Sequence, residues 1–158
     1  MPRIAKLFLI FTGGLLAFGA ASGALAIRST TAQATLLAAV NATRTQYGLG
    51  PLRVDATLQR AAASHSAEML HDNYFAHGDF RGRMIAFHVR APAAGEDLAW
   101  GNGAYADPGT IVAEWLASPE HRANLLRPGF TRIGIGIANG TFLGNGEVAV
   151  VTADFAGS

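Results

Sequence analysis

Between Thr35 and Tyr47 the inward-facing positions are Leu36, Val40, Thr43 and Tyr47, spaced i, i+4, i+7 and i+11. That spacing predicts a helix with one buried face. Gly48 and Gly50-Pro51 stop it. Asp55 is placed to cap a second helix that runs to about Leu70. Leu58, Ala62, His65 and Met69 form its stripe, so His65 reads as a core histidine. Residues 78–94 carry glycine, proline and three arginines without a clean period, and read as a long loop with a short helix inside. Residues 95–100 read as a short strand. Asp107-Pro108 starts a third helix whose apolar side is Ile111, Val112 and Trp115. Ser118-Pro119 repeats that start signal, with Ser118 as cap of a fourth helix that ends at Pro128-Gly129.

The last third switches to a period of two. Ile133, Ile135 and Ile137 alternate with Gly134, Gly136 and Ala138, and residues 147–155 form a second, valine-rich run. Asn139-Gly140 and Asn145-Gly146 bracket a connection of five to seven residues, giving an antiparallel hairpin. Glycine at alternate positions flattens one face, so a helix can approach closely. Helices followed by strands predict an α+β fold: an α-β-α sandwich with about four helices around a small antiparallel sheet.

Composition then locates the protein. Arg3 and Lys6 precede an apolar, uncharged stretch over residues 7–26, and two A-x-A sites follow at 24–26 and 32–34. This is the pattern of a secretory signal peptide. About 20 apolar residues also suffice to span a bilayer, so an uncleaved anchor over residues 7–26 is the alternative. The expected division is a leader and linker over residues 1–34 and one domain over residues 35–158. Both routes lead out of the cytoplasm, to a secreted, periplasmic or membrane-anchored protein. The formal net charge is +1, but Arg3 and Lys6 belong to the leader, and the rest carries ten arginines against eleven acids. No basic run exists, so nucleic acid is not an expected partner. Cysteine is absent, which excludes disulfides, thiol nucleophiles and thiolate metal sites.

Three residues could carry chemistry. His77 precedes Gly78, which lets the chain turn and leave the ring exposed. Glu96 alternates onto the side of Leu98 and Trp100, opposite Asp97 and Ala99, and a carboxylate on that apolar side needs a partner. His121 falls at the third position of the fourth helix, where the helix dipole disfavours an imidazolium. A neutral imidazole there is fit to bind a metal or accept a proton. Two histidines and a carboxylate from separate segments make a three-ligand set with an open position, suited to Zn²⁺ or another divalent metal. The spacing alone does not say that they converge.

The order of short runs from Leu37 to Phe155 resembles the CAP superfamily of cysteine-rich secretory, antigen five and pathogenesis-related-one proteins. The resemblance rests on Asn41-Ala42-Thr43-Arg44, Leu49-Gly50-Pro51-Leu52, Asn73-Tyr74-Phe75-Ala76-His77, Gly95-Glu96-Asp97-Leu98-Ala99, the run Trp115 to Leu126, and Ile133-Gly134-Ile135-Gly136. The missing cysteines point to its bacterial branch. The resemblance implies an α-β-α sandwich whose cleft holds two histidines and two acids. His77, Glu96 and His121 match three of these positions. The fourth, three residues beyond Trp115, is Ser118 rather than an acid. The implied cleft is thus His77, Glu96, Ser118 and His121.

Two functions follow as expectations. One is a non-catalytic binding module for a small ligand, a lipid or a cell-envelope component, with Tyr74, Phe75, Trp100, Tyr105 and Trp115 as candidate apolar walls. The other is a metal-dependent hydrolase, with a metal on His77 and His121 and with Glu96 as ligand or general base. A serine hydrolase is not expected: there is no Gly-x-Ser-x-Gly, and Ser118 and His121 share one helical turn.

Overall fold

The computed structural model describes the backbone of residues 19–157 and the side chains of residues 31–157. Arg3, Lys6 and the apolar stretch up to residue 18 lie outside the described residues. In chain order the elements are helix α1 (Gly19–Gln46), strand β1 (Arg53–Val54), helices α2 (Ala56–Asp72) and α3 (Phe80–Ala86), strand β2 (Ala94–Gly101), a 3-10 turn at Gly103–Ala106, helices α4 (Pro108–Ala117) and α5 (Pro119–Leu125), and strands β3 (Phe130–Phe142) and β4 (Asn145–Gly157). The four strands form one sheet in the order β1-β3-β4-β2. β3 pairs antiparallel with β4, and β4 with β2. β1 pairs parallel with β3, so the sheet is mixed rather than antiparallel throughout. Five α-helices are described, not four, because the short helix in the 78–94 segment is a formed element, α3.

The architecture is the expected α-β-α sandwich. On one face Ile133, Ile135, Val151, Ala153 and Phe155 pack against Leu36 and Val40 of α1, Ile111, Val112 and Trp115 of α4, and Leu125 of α5. α2 covers the other face, and it does so at backbone contact. A Cβ at Gly134 would come within 2.1 Å of the Leu58 carbonyl carbon, and one at Gly136 within 2.1 Å of the Ala62 oxygen. The glycines of β3 are therefore what lets α2 sit on the sheet.

α2 begins as the sequence predicts. Asp55 Oδ1 accepts from the backbone amides of Thr57 (2.8 Å) and Leu58 (3.1 Å). The helix ends at Asn73, whose backbone is left-handed. Leu58, Ala62, His65 and Met69 are all fully buried. α1 departs from prediction at its end. Tyr47 is 47% exposed, while Arg44 turns inward and is 1% exposed. Its guanidinium donates to the carbonyls of Gly50, Leu125, Arg127 and Phe130. Burial lowers its pKa, and the four carbonyls replace the water it has lost.

The hairpin is tighter than expected. β3 continues to Phe142 and β4 starts at Asn145, so the connection is the pair Leu143-Gly144 instead of five to seven residues. Both have positive φ, 48° and 81°, the conformation of a type I′ turn. Leucine is uncommon there. It is held by tertiary structure, with the Leu143 amide donating to Asn73 Oδ1 at 2.7 Å.

Both A-x-A sites fall inside α1. The second overlaps the packed part of the helix: Gln33 Nε2 donates to the Ile135 carbonyl at 3.0 Å. Among the described residues no helix is long and apolar enough to cross a membrane.

Candidate binding cleft

β2 is an edge strand, and alternation sends its side chains to both layers. Glu96 points to the α2 side and Asp97 to the α5 side. The α2–α3 connection brings His77 to Glu96, with His77 Nδ1 2.7 Å from Glu96 Oε1. The His77 side chain is 53% exposed and that of Glu96 2%. With Nδ1–H donated to the carboxylate, the free acceptor of a neutral His77 is Nε2. The second Glu96 oxygen accepts from Arg83 of α3, in an ion pair shielded from water. Arg83 also donates to the His77 carbonyl at 3.4 Å. Glu96 therefore has the partners its burial demands, and they are one histidine and one arginine.

His65 completes this layer. It lies on the buried stripe as predicted, but it also reaches the site: Nε2 is 3.9 Å from Glu96 Oε2 and donates to the Ala76 carbonyl at 3.0 Å. Burial, then the nearby charge of Arg83, lowers its pKa, so His65 is a neutral ring at physiological pH.

His121 approaches from the opposite layer, on α5. Its pKa is lowered by burial first and by His77 second, so the two imidazoles sense each other across the edge of β2. That direction agrees with the neutral imidazole expected at the start of the helix, and burial is its largest cause. Ser118 is the N-cap residue of α5, as expected, but not through its side chain. Its backbone ends α4 and begins α5, but its hydroxyl makes no capping hydrogen bond. Its main chain serves both helices, with the amide donating to the Glu114 carbonyl and the carbonyl accepting from the Arg122 amide.

Ser118 and His121 instead line a cavity of about 410 Å³ beside β2. Leu98, Ile111 and Trp115 form its inner wall, Phe75, Trp100 and Tyr105 its outer wall, and Thr110 and Glu114 add polar groups. Phe75, Trp100 and Tyr105 are 40%, 39% and 70% exposed. Trp115 is buried and donates its indole N–H to the Leu98 carbonyl at 2.9 Å. Tyr74 is not part of this wall; it packs beside Met69 and Leu98 in the core under α2.

The candidate metal ligands His77, Glu96 and His121 thus lie in one region of the fold. Among the described residues, however, no group of three or more His, Asp and Glu side chains is arranged to hold a metal ion. Glu96 has both oxygens engaged, and a cation there would face the guanidinium of Arg83. The arrangement does not fit a metal held by all three residues.

Sequence reasoning missed Arg83, Asn124 and Asp154. Arg83 lies in the segment without periodicity and gave no local signal. Asn124 Nδ2 donates to Asp97 Oδ1 (2.9 Å) and to the Glu96 carbonyl (3.2 Å), clamping β2 to α5. Gly95 makes room for this clamp, since a Cβ there would meet Asn124 Oδ1 at 2.5 Å. Asp97 is fully buried, and burial pushes its carboxyl up to about 7 against the hydrogen bond from Asn124. Asp154 did leave a trace. Counting in twos from Val148 and Val150 places an acid on the inward face of β4, where an apolar residue would be usual.

With this geometry in place, the chain can be set beside known proteins. Residues 37–155 match the model of the cysteine-rich secretory protein family, CAP. The chain belongs to that family. It is 39% identical over 101 residues to the uncharacterized protein YkwD of Bacillus subtilis, covering 61% of this chain and 38% of that protein. It is 34% identical over 113 residues to the uncharacterized membrane protein YlbC of the same organism, covering 68% of this chain and 32% of that protein. The match thus spans about a third of the length of each of these curated relatives. Among solved structures, an extracellular protein containing an SCP domain from Bacillus anthracis superimposes with a TM-score of 0.71 at 26% identity, over 82% of this chain and 41% of that one. An outer surface protein from Borrelia burgdorferi shares the fold, with a TM-score of 0.67 at 20% identity over 82% of this chain and 96% of that one.

Proposed function

We propose that this chain is an exported, non-catalytic binding module whose cleft takes a small amphipathic ligand, such as a lipid or another cell-envelope component. The observation that carries this reading is the exposure of Phe75, Trp100 and Tyr105 around one cavity that also holds Ser118 and His121. Leaving large apolar rings in water is unfavourable, and gathered at a concave site they mark a place where something binds. The apolar body of a ligand would lie against the rings. Its polar end would meet Ser118, Glu114 and the neutral His121, with His77 beyond.

The basic residues and apolar stretch at the N-terminus support export, as does the description of the Bacillus anthracis relative as extracellular. The hydrolase reading is the weaker one, because Glu96 is already committed to His77 and Arg83. A buried carboxylate so held orients an imidazole; it is not free to serve as a base. Both tryptophans of the chain line the cavity, so intrinsic fluorescence reads it alone. Titration with lipid extracted from the producing cells should give a saturable change. A change that persists in Tyr105→Ala/His121→Ala would count against the reading.

A further inference from the structure

Asp154 is fully buried, and neither of its carboxyl oxygens has a hydrogen-bond donor from the protein. Such a group is costly to hold charged and unpaired. Its neighbours are fixed by strand register. On one side Asp154 pairs with Glu96 of β2, and on the other with Gly134 of β3. Antiparallel partners project to the same face. Glu96 and Asp154 therefore both lie under α2 as directly opposed cross-strand neighbours. Gly134 lets the backbone of Leu58 and Gln59 close down over them.

The charged and titratable groups facing this pair can be counted by element. β2 supplies Glu96, α3 supplies Arg83, α2 supplies His65, and the α2–α3 connection supplies His77. His65 is neutral, and its Nε2–H donates to the Ala76 carbonyl. His77 is bonded to the other end of Glu96. One guanidinium thus faces two buried carboxyl groups. Two buried carboxylates side by side repel, and they can share a hydrogen bond only if one of them keeps a proton.

We propose that Asp154 is a second acid of the cleft, a positioning residue that keeps its proton, donates it in a hydrogen bond to ionised Glu96, and so holds that carboxylate against His77 and Arg83. No proton is transferred in this arrangement; it stays on Asp154 while Glu96 carries the negative charge. Glu96 is the ionised partner because it alone accepts from both His77 and Arg83. Burial, and secondarily the charge of Glu96, push the Asp154 carboxyl up to about 8, in keeping with a proton retained at physiological pH. These hydrogen bonds lie beneath the cleft and do not depend on which ligand the cleft takes, or on whether it takes one.

The test uses the full chain and two readouts. Infrared difference spectra between wild type and Asp154→Asn at pH 6 should show a protonated-carboxyl band in the wild type that the variant lacks. That band should fade with a midpoint near pH 8. Nitrogen NMR of His77 reads the second effect. The Nδ1–H form should persist in Asp154→Asn, whose amide can still donate to Glu96, and should give way to a mixture of tautomers in Asp154→Ala. Absence of the band at pH 6 would overturn the proposal, as would an unchanged His77 tautomer in Asp154→Ala. If Asp154→Ala does not fold, the infrared comparison decides alone, since Asn replaces Asp without a change of shape.

Discussion

His77 and Glu96 are joined at 2.7 Å, one side chain more than half exposed and the other almost fully buried. A solvent-facing imidazole is therefore oriented by a carboxylate that water does not reach. Removing the charge should release it. In Glu96→Gln the side-chain amide can present either oxygen or nitrogen to the ring, so His77 should lose its single Nδ1–H tautomer. Nitrogen NMR of the histidine ring checks this, with His121 as an internal reference that should stay neutral.

The two buried acids set how stability follows pH. Asp97 is raised to about 7 and Asp154 to about 8, both chiefly by burial. Each holds a proton in the folded protein that the unfolded chain has already released at about pH 4. Folded protein thus binds more protons than unfolded, and stability falls as pH rises from about 4 to 8. His65 and His121, with lowered values, act the other way, and their contribution is complete once pH passes the ordinary histidine range at about 6.5. The fall should therefore stand alone between about pH 6.5 and 8 and level off above that. Asp154→Asn should leave only the part due to Asp97, ending near pH 7, and gain on the order of 2 kcal/mol at pH 8, measured by denaturant unfolding at several pH values.

Gly136 lets α2 reach the sheet. A Cβ there would sit 2.1 Å from the Ala62 oxygen, and backbone cannot yield as a side chain can. Gly136→Ala should cost about 3 kcal/mol, at the upper end for overpacking. Gly146→Ala, where a Cβ meets nothing within 4 Å, is the control and should be near neutral. Thermal unfolding of the two variants side by side checks the pair.

Arg44 ties the loop after α1 to the turn between α5 and β3 through four carbonyls. Arg44→Met keeps much of the volume but strands the buried Leu125 and Phe130 carbonyls. A loss of about 3 kcal/mol is expected, with each stranded group costing about 1–3 kcal/mol. Hydrogen exchange should show the 126–130 segment loosening first.

Much of this fold could be read from the chain because periodicity and caps act locally. Asp55 caps α2, Pro108 opens α4, and the alternating glycines of β3 mark the face that α2 covers, all as the sequence implies. What could not be read depends on distant partners. Arg44 is buried because carbonyls more than 80 residues away receive it. Leu143 adopts a left-handed turn because Asn73 holds its amide. At the cleft, His77, Glu96 and His121 could be named from the resemblance. Arg83 could not, since its segment has no period, and it is Arg83 that turns Glu96 from a candidate metal ligand into one half of an ion pair. Ser118 stands at the cap position that its type and place imply, but its hydroxyl makes no capping hydrogen bond and the residue lines the cavity, which only the tertiary fold creates.

The central claim is that the cavity beside β2 binds a ligand. The most direct measurement is tryptophan fluorescence of the full chain, titrated with lipid extracted from the cells that make it, in wild type and in Tyr105→Ala/His121→Ala. Trp100 and Trp115 are the only tryptophans, and both line the cavity. The account predicts a saturable change in the wild type that is weakened about tenfold or more in the double variant, as the loss of an aromatic wall and a polar contact would cause. No saturable change, or one that the double variant leaves intact, would contradict it.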